Sequence, residues 1–188
     1  MTTKTTALIG VALALCATLA SAARIDPGAS HIGFTLKTRW GQVLEGRFPD
    51  AQGYVAELRD GRHQVRLQLA TSTVEILGHD AYTRLTRGEG FFDADEYPWV
   101  QFVSDAYSPP LLRDGGALPG LLTIRNVHRR EVFTISPSHC MQPARQCDVI
   151  ASGVIRRQDY GVNRWNMALS DMVRFTLRVR VSEEATHE

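Results

Sequence analysis

Ser30-His31 is the first pair in the chain that could do chemistry, since a hydroxyl beside an imidazole is half of a nucleophilic hydrolase site. Its setting argues against that use. A nucleophile elbow needs G-x-S-x-G at a turn from strand into helix, whereas Gly28-Ala29-Ser30-His31-Ile32-Gly33 misses the spacing by one residue and runs into a strand pattern. The histidines His31, His63, His79, His128, His139 and His187 are scattered, with no H-E-x-x-H and no C-x-x-C beside them, so no metal site is expected. Neither G-x-x-x-x-G-K-[ST] nor G-x-G-x-x-G occurs. The recognisable catalytic and cofactor spacings are missing, and the chain is expected not to be an enzyme.

Thiol chemistry depends on compartment, and the first residues bear on that. Lys4, the apolar stretch from Ala7 to Ala20 and the small-residue exit Ala20-Ser21-Ala22 read as a cleaved secretory signal peptide over residues 1–22. The run is shorter than the ~20 apolar residues of a spanning helix, and Leu15 stands where a lipoprotein signal carries Gly, Ala or Ser before its cysteine. A periplasmic protein over residues 23–188, with no stable membrane span, is the expectation. Cys16 leaves with the signal, so Cys140 and Cys147 are the remaining thiols and pair as a disulfide. Their C-x6-C spacing is not that of a redox motif. The bridge staples the loop Met141–Gln146 at a hairpin tip, which stabilises by ~2 kcal/mol.

The length suits one domain with a sizeable core. The formal net charge is only +1, so the chain as a whole makes no electrostatic claim on nucleic acid or on an anionic membrane.

Residues 173–181 alternate apolar and polar side chains through the whole stretch, which puts the apolar set on one face of a strand. Residues 65–69 repeat the pattern, as do Ile32, Phe34 and Leu36. Further strands are predicted at 42–48, 53–58, 100–104, 118–124, 131–135 and 149–156, separated by Pro, Gly and Asp turn signals. One-faced alternation suits antiparallel strands with a wet side, and many short strands suit a barrel or a sandwich. A short helix is predicted at about 79–87, with Ala81, Tyr82 and Leu85 on one face, lying across an end of the β-structure as a gate or a plug.

Several phrases, in order, resemble the YceI-like family of secreted lipid-binding proteins. They are Ile25-Asp26-Pro27 with Ser30, Ile32 and Phe34; Gly46-Arg47-Phe48; Phe91-Phe92-Asp93 followed by Tyr97-Pro98, Phe102 and Ser104; Gly120 with Leu122-Thr123-Ile124 and Val127; Arg157, Asp159, Tyr160 and Gly161; and Ser170-Asp171 with Val173. The resemblance covers residues 24–181. Departures are Ala29 and Thr38, where the family often has His, Asn126 and His128 in place of Gly and Thr, and the segment around Cys140 and Cys147.

The resemblance implies an all-β fold, an eight-stranded antiparallel lipocalin-like barrel whose interior holds a polyprenyl lipid or an isoprenoid quinone and needs no cofactor. Such a barrel can either fill with side chains or hold one small ligand. Phe34, Leu36, Phe48, Phe102, Leu122, Ile124, Phe175 and Leu177 are the expected inward positions. Phe91 and Phe92, which cannot share one face of an extended strand, either divide between the cavity and the underside of the helix or serve only as a structural anchor for the helix. Trp40, Trp99 and Trp165 are assigned to rim packing. Arg157, Asp159 and Tyr160 either fix a head group, through phosphate or quinone carbonyl, or stabilise the turn after the preceding strand. The implied function is encapsulation for transport, storage or stress response. The alternatives are a lipid-acting hydrolase or isomerase and a non-catalytic interaction module using edge strands or the face of the last strand that carries Arg174, Arg178 and Arg180. Pairing of two barrels into a homodimer is left open.

Overall fold

The computed structural model describes residues 22–182, so the signal-peptide reading lies outside the described residues apart from Ala22. The strands are β1 (Ala22–Arg24), β2 (His31–Thr38), β3 (Val43–Arg47), β4 (Ala51–Glu57), β5 (His63–Ala70) and β6 (Glu75–Ile76). The helix α1 (Asp80–Arg87) follows, then β7 (Trp99–Ser104), a single turn α2 (Leu111–Asp114), β8 (Gly116–Ile124), β9 (Val127–Ile135), β10 (Val149–Arg156) and β11 (Leu169–Val179). All the strands form one antiparallel sheet in the order β1-β4-β5-β7-β8-β9-β10-β11-β2-β3-β6.

Alternation produces the inside and the outside of this sheet. Ile32, Phe34 and Leu36 of β2 are buried, as are Val173, Phe175 and Leu177 of β11, while Arg174, Thr176 and Arg178 face out. The Phe175↔Phe34 register sets the two apolar rows side by side. β11 starts earlier than the alternation suggests, because Leu169 pairs with Thr38 across an irregularity between Leu169 and Val173. Val181 keeps a single bridge, to Ile25.

The strand count is a correction: eleven strands are present rather than eight. Two are short additions, β1 and β6, and a third arises from one bent stave. β3 and β4 are joined only by Phe48, Pro49 and Asp50, and proline has no N–H to continue a ladder. Before the bend the stave pairs with β2, up to the Phe48 N–H on the Ile32 carbonyl (2.9 Å); after it the Asp50 carbonyl accepts from Ala70 (3.0 Å) on β5. The two sides of the sheet are therefore consecutive in the chain, and the sheet curls into a closed barrel. Residues 24–26 seal the corner, with Ile25 N–H on the Gly53 carbonyl and Asp26 N–H on the Arg180 carbonyl, both 2.9 Å.

α1 begins one residue later than predicted, with His79 as its cap. Its apolar face turns outward. Ala81, Tyr82 and Leu85 face solvent and Thr86 is buried, because polar bonds fix the other side. The Thr83 hydroxyl accepts from Ile76 N–H (2.8 Å) and donates to the Ile76 carbonyl (3.3 Å), and Arg87 Nε donates to the Val74 carbonyl (2.9 Å).

At the opposite end Cys140 and Cys147 are bonded, with Cα atoms 6.2 Å apart. Inside this loop Ala144 is buried and donates its N–H to the Cys147 carbonyl (2.9 Å), while its own carbonyl accepts from Val181 (2.9 Å).

Candidate functional site

The barrel interior is apolar and incompletely filled. A far chamber of about 90 Å³ lies toward the disulfide end, walled by Leu67, Phe102, Leu122, Phe133 and Leu177 and closed by Leu112 and Ala144. A near chamber of about 60 Å³ lies under α1, walled by Phe34, Leu36, Phe91, Phe92, Ile124 and Ile155. Phe175 borders both chambers. It belongs to an aromatic partition: Phe34 stands 5.9 Å from Phe175 and 5.6 Å from Phe48, and Phe48 stands 5.6 Å from Phe92, centroid to centroid.

Small residues make room for these rings. Gly46 sits opposite Phe34 across the β2–β3 ladder, and a side chain there would overlap the Phe34 ring. Gly120 does the same for Phe102, whose ring meets Phe133 edge-on at 4.9 Å. Glycine in these strands is the seat of an aromatic side chain.

Beyond the near chamber lies a mouth of about 260 Å³, sharing Leu36, Ile76, Thr86 and Phe91 with it and bounded by Trp40, Tyr82, Leu85, Trp165 and Leu169. Mouth, near chamber and far chamber thus follow one another along the barrel, separated by Phe91 and by Phe175.

Of the ten expected cavity residues, Phe34, Leu36, Phe91, Phe92, Phe102, Leu122, Ile124, Phe175 and Leu177 border one or both chambers, and Phe48 backs Phe34. Phe91 and Phe92 sit in a turn rather than a strand, which lets both rings reach the near chamber. Phe133, Ile135 and Ile155 also line the interior and were readable from alternation. Ala144 and Val162 come from loops with no periodic signal. Trp40 and Trp165 stand at the rim of the mouth as expected but are exposed there, by 80% and 50%, rather than packed.

Arg157, Asp159 and Tyr160 do not converge. Arg157 is buried, and its five N–H groups are all engaged within the chain. Nε donates to the Ser170 carbonyl (3.0 Å), Nη1 to the Val162 (2.8 Å) and Arg164 (2.7 Å) carbonyls, and Nη2 to Asn166 Oδ1 (2.7 Å) and the Leu169 carbonyl (3.4 Å). It clamps the loop that carries Trp165, and burial lowers its pKa. The Tyr160 hydroxyl donates to Glu131 Oε1 (2.8 Å); burial first and that carboxylate second push its pKa up. Asp159 is exposed. Tyr107, at the far chamber, has its pKa pushed up to about 12 by burial. The Ser30 hydroxyl is taken up by the Arg180 backbone, donating to its carbonyl (3.2 Å) and accepting its N–H (3.0 Å).

A YceI-like domain model matches residues 24–181, the greater part of the sequence. The chain belongs to the YceI-like family. Several solved structures share its fold. BcnA of Burkholderia cenocepacia is 20% identical, with a TM-score of 0.68, the match covering 85% of this chain and 99% of that one. A polyisoprenoid binding domain from Saccharophagus degradans, implicated in plant cell wall breakdown, is 13% identical with a TM-score of 0.63, covering 87% and 100%. The Campylobacter jejuni YceI protein is 18% identical with a TM-score of 0.56, covering 74% and 85%. Among curated proteins no sequence matches the chain. The YceI-like motifs sort by this geometry: Phe91-Phe92 and Phe34 build the chamber under α1, Gly46 seats the Phe34 ring there, Gly120 seats Phe102 in the far chamber, and Arg157 builds the loop at the mouth.

Proposed function

We propose that this YceI-like protein is exported to the periplasm, its first 22 residues removed, and that it encapsulates one polyprenyl or isoprenoid-quinone lipid without chemical change. The observation that carries this reading is the series of apolar spaces from the mouth through the near chamber to the far one. The polyisoprenoid-binding description of the Saccharophagus degradans domain agrees with it.

In this reading the tail runs down the barrel and the head group stays at the mouth, since Arg157 has no N–H left for an anion and the Tyr160 hydroxyl already donates its hydrogen bond to Glu131. Burial of apolar surface supplies ~25 cal/mol per Å², so each added isoprene unit strengthens binding until the loss of chain freedom offsets the gain. Chambers of about 90 and 60 Å³ take a short length of hydrocarbon as they stand. A longer tail is accommodated by rotation of the Phe175 and Phe34 rings, which removes the partition between the chambers. The hydroxyl–carboxylate pair bordering the near chamber is Tyr160 with Glu131, and burial raises the Tyr160 pKa and so keeps that hydroxyl protonated, which favours binding over hydrolysis or isomerisation.

The test is organic extraction of protein purified from its native compartment, followed by mass spectrometry. An isoprenoid lipid present near one per barrel is the expected result, and its absence from such protein overturns the reading.

A further inference from the structure

The surface around the mouth combines exposed large apolar side chains with basic residues that lack acidic partners. Trp40 projects from the β2–β3 turn with 80% exposure, Tyr82 and Leu85 from α1, and Trp165 and Met167 from the loop clamped by Arg157. These elements form one surface. Arg39 N–H donates to the Ala168 carbonyl (2.8 Å) and Arg39 Nη2 to the Asn166 carbonyl (3.2 Å), which ties the Trp40 turn to the Trp165 loop; Trp40, Tyr82, Leu85 and Trp165 share the mouth cavity. Single exposed apolar residues need no explanation, but a group of them around an opening marks an interaction site.

The end of β2, the turn after it, α1 and the clamped loop carry Lys37, Arg39, Arg84 and Arg164 respectively, all exposed, and among the described residues none has a carboxylate within ion-pair distance. Elsewhere Arg47, Arg130 and Arg180 are each paired with an acid. Against these four bases α1 and the turn that follows it set two exposed acids, Asp80 and Glu89, while further on Asp93 faces Arg125. Near-neutral overall charge thus conceals a locally cationic rim.

We propose that the mouth of the barrel docks on an anionic phospholipid bilayer, with Trp40, Tyr82, Leu85 and Trp165 at headgroup depth and Lys37, Arg39, Arg84 and Arg164 against the phosphates. Amphipathic aromatics favour the membrane interface, and basic side chains are attracted to anionic lipid there. Docking in this pose seats the opening of the near chamber on the bilayer, so that a tail passes between membrane and barrel without crossing water. The proposal rests on the lipid-carrier reading and names the surface with which the carrier exchanges.

Co-sedimentation with phosphatidylglycerol/phosphatidylethanolamine vesicles tests it, with phosphatidylcholine vesicles alongside and isoprenoid content of the same preparations measured by mass spectrometry. The wild-type chain is expected to bind anionic vesicles, to bind neutral ones far less, and to lose binding at high salt. Combined Lys37→Gln, Arg39→Gln, Arg84→Gln and Arg164→Gln substitutions line no cavity and should lower anionic-vesicle binding by roughly 5-fold per charge removed while leaving isoprenoid content unchanged. Exchange of Trp40 and Trp165 for Phe should remove the blue shift of tryptophan emission on vesicle addition. Binding that is equal on neutral and anionic vesicles, or unaffected by the four substitutions, overturns membrane docking even if lipid is still carried. Failure to bind any vesicle also overturns it and leaves the rim to a protein partner. Loss of the carrier reading would show separately, as absence of lipid in the wild-type extract.

Discussion

Phe175 stands between the two chambers, so truncating it should affect the empty and the loaded protein differently. The side chain is 5% exposed and borders spaces of about 90 and 60 Å³. Phe→Ala in a packed core costs about 3–5 kcal/mol, and the void it leaves contributes ~24 cal/mol per Å³. With the ring removed, the added void is on the order of 100 Å³, a cavity contribution of about 2 kcal/mol that joins the two chambers into one. The empty Phe175→Ala protein is therefore expected to lose about 4 kcal/mol, or ~8–16 °C in Tm for a chain of this size. A tail threaded into the merged chamber refills the void, so the loaded variant should recover up to ~2 kcal/mol of that loss. By the thermodynamic cycle the same amount appears as up to ~30-fold tighter binding of a long chain. Denaturant unfolding of delipidated protein, with and without polyprenols of increasing length, measures both arms. An equal loss of stability in the empty and loaded states, with an unchanged chain-length profile, would refute the idea that Phe175 divides the ligand path.

Other consequences concern the framework around the chambers. Replacing Arg157 with Met leaves buried carbonyls without donors and should cost about 3–5 kcal/mol; Arg157→Lys, with fewer donors, should recover only part, and proteolysis within residues 161–169 would report the freed loop. For Tyr107 the folded pKa of about 12 exceeds the ordinary tyrosine value of 10.0, so the folded state holds its proton longer than the unfolded one. Stability is then full below pH 10 and falls as pH rises toward 12; Tyr107→Phe should flatten this fall in urea titrations, and an unaltered slope would assign it elsewhere. Substituting both Cys140 and Cys147 by Ser should cost roughly 2–3 kcal/mol, and hydrogen exchange should rise first around Ala144, the plug of the far chamber.

Strand positions were legible because the side-chain period of an extended chain is local: any residue two places from Phe34 or Phe175 shares its face whatever the rest of the chain does. The alternation of 173–177, the helix after His79 and the short disulfide loop all follow from neighbours within a few residues, and the ordered YceI-like phrases reached the family itself. Matters that depend on distant partners were not legible. Pro49 marks a turn in the sequence, and only the pairing of Phe48 with Ile32 and of Asp50 with Ala70 makes it the corner that closes the barrel. The apolar face of α1 was readable, but Thr83 and Arg87 find buried backbone partners in residues 74–76, and those bonds turn Tyr82 and Leu85 outward to the mouth. Arg157 could be read from sequence as a head-group contact or, the preferred reading, as a turn stabiliser, and only the matching of its five N–H groups with acceptors from residues 162–170 shows how it is used. Periodicity within the chain thus determined which residues share a face, while long-range hydrogen bonding and packing decided which face meets water, because a buried polar group must find its partner wherever the fold puts one.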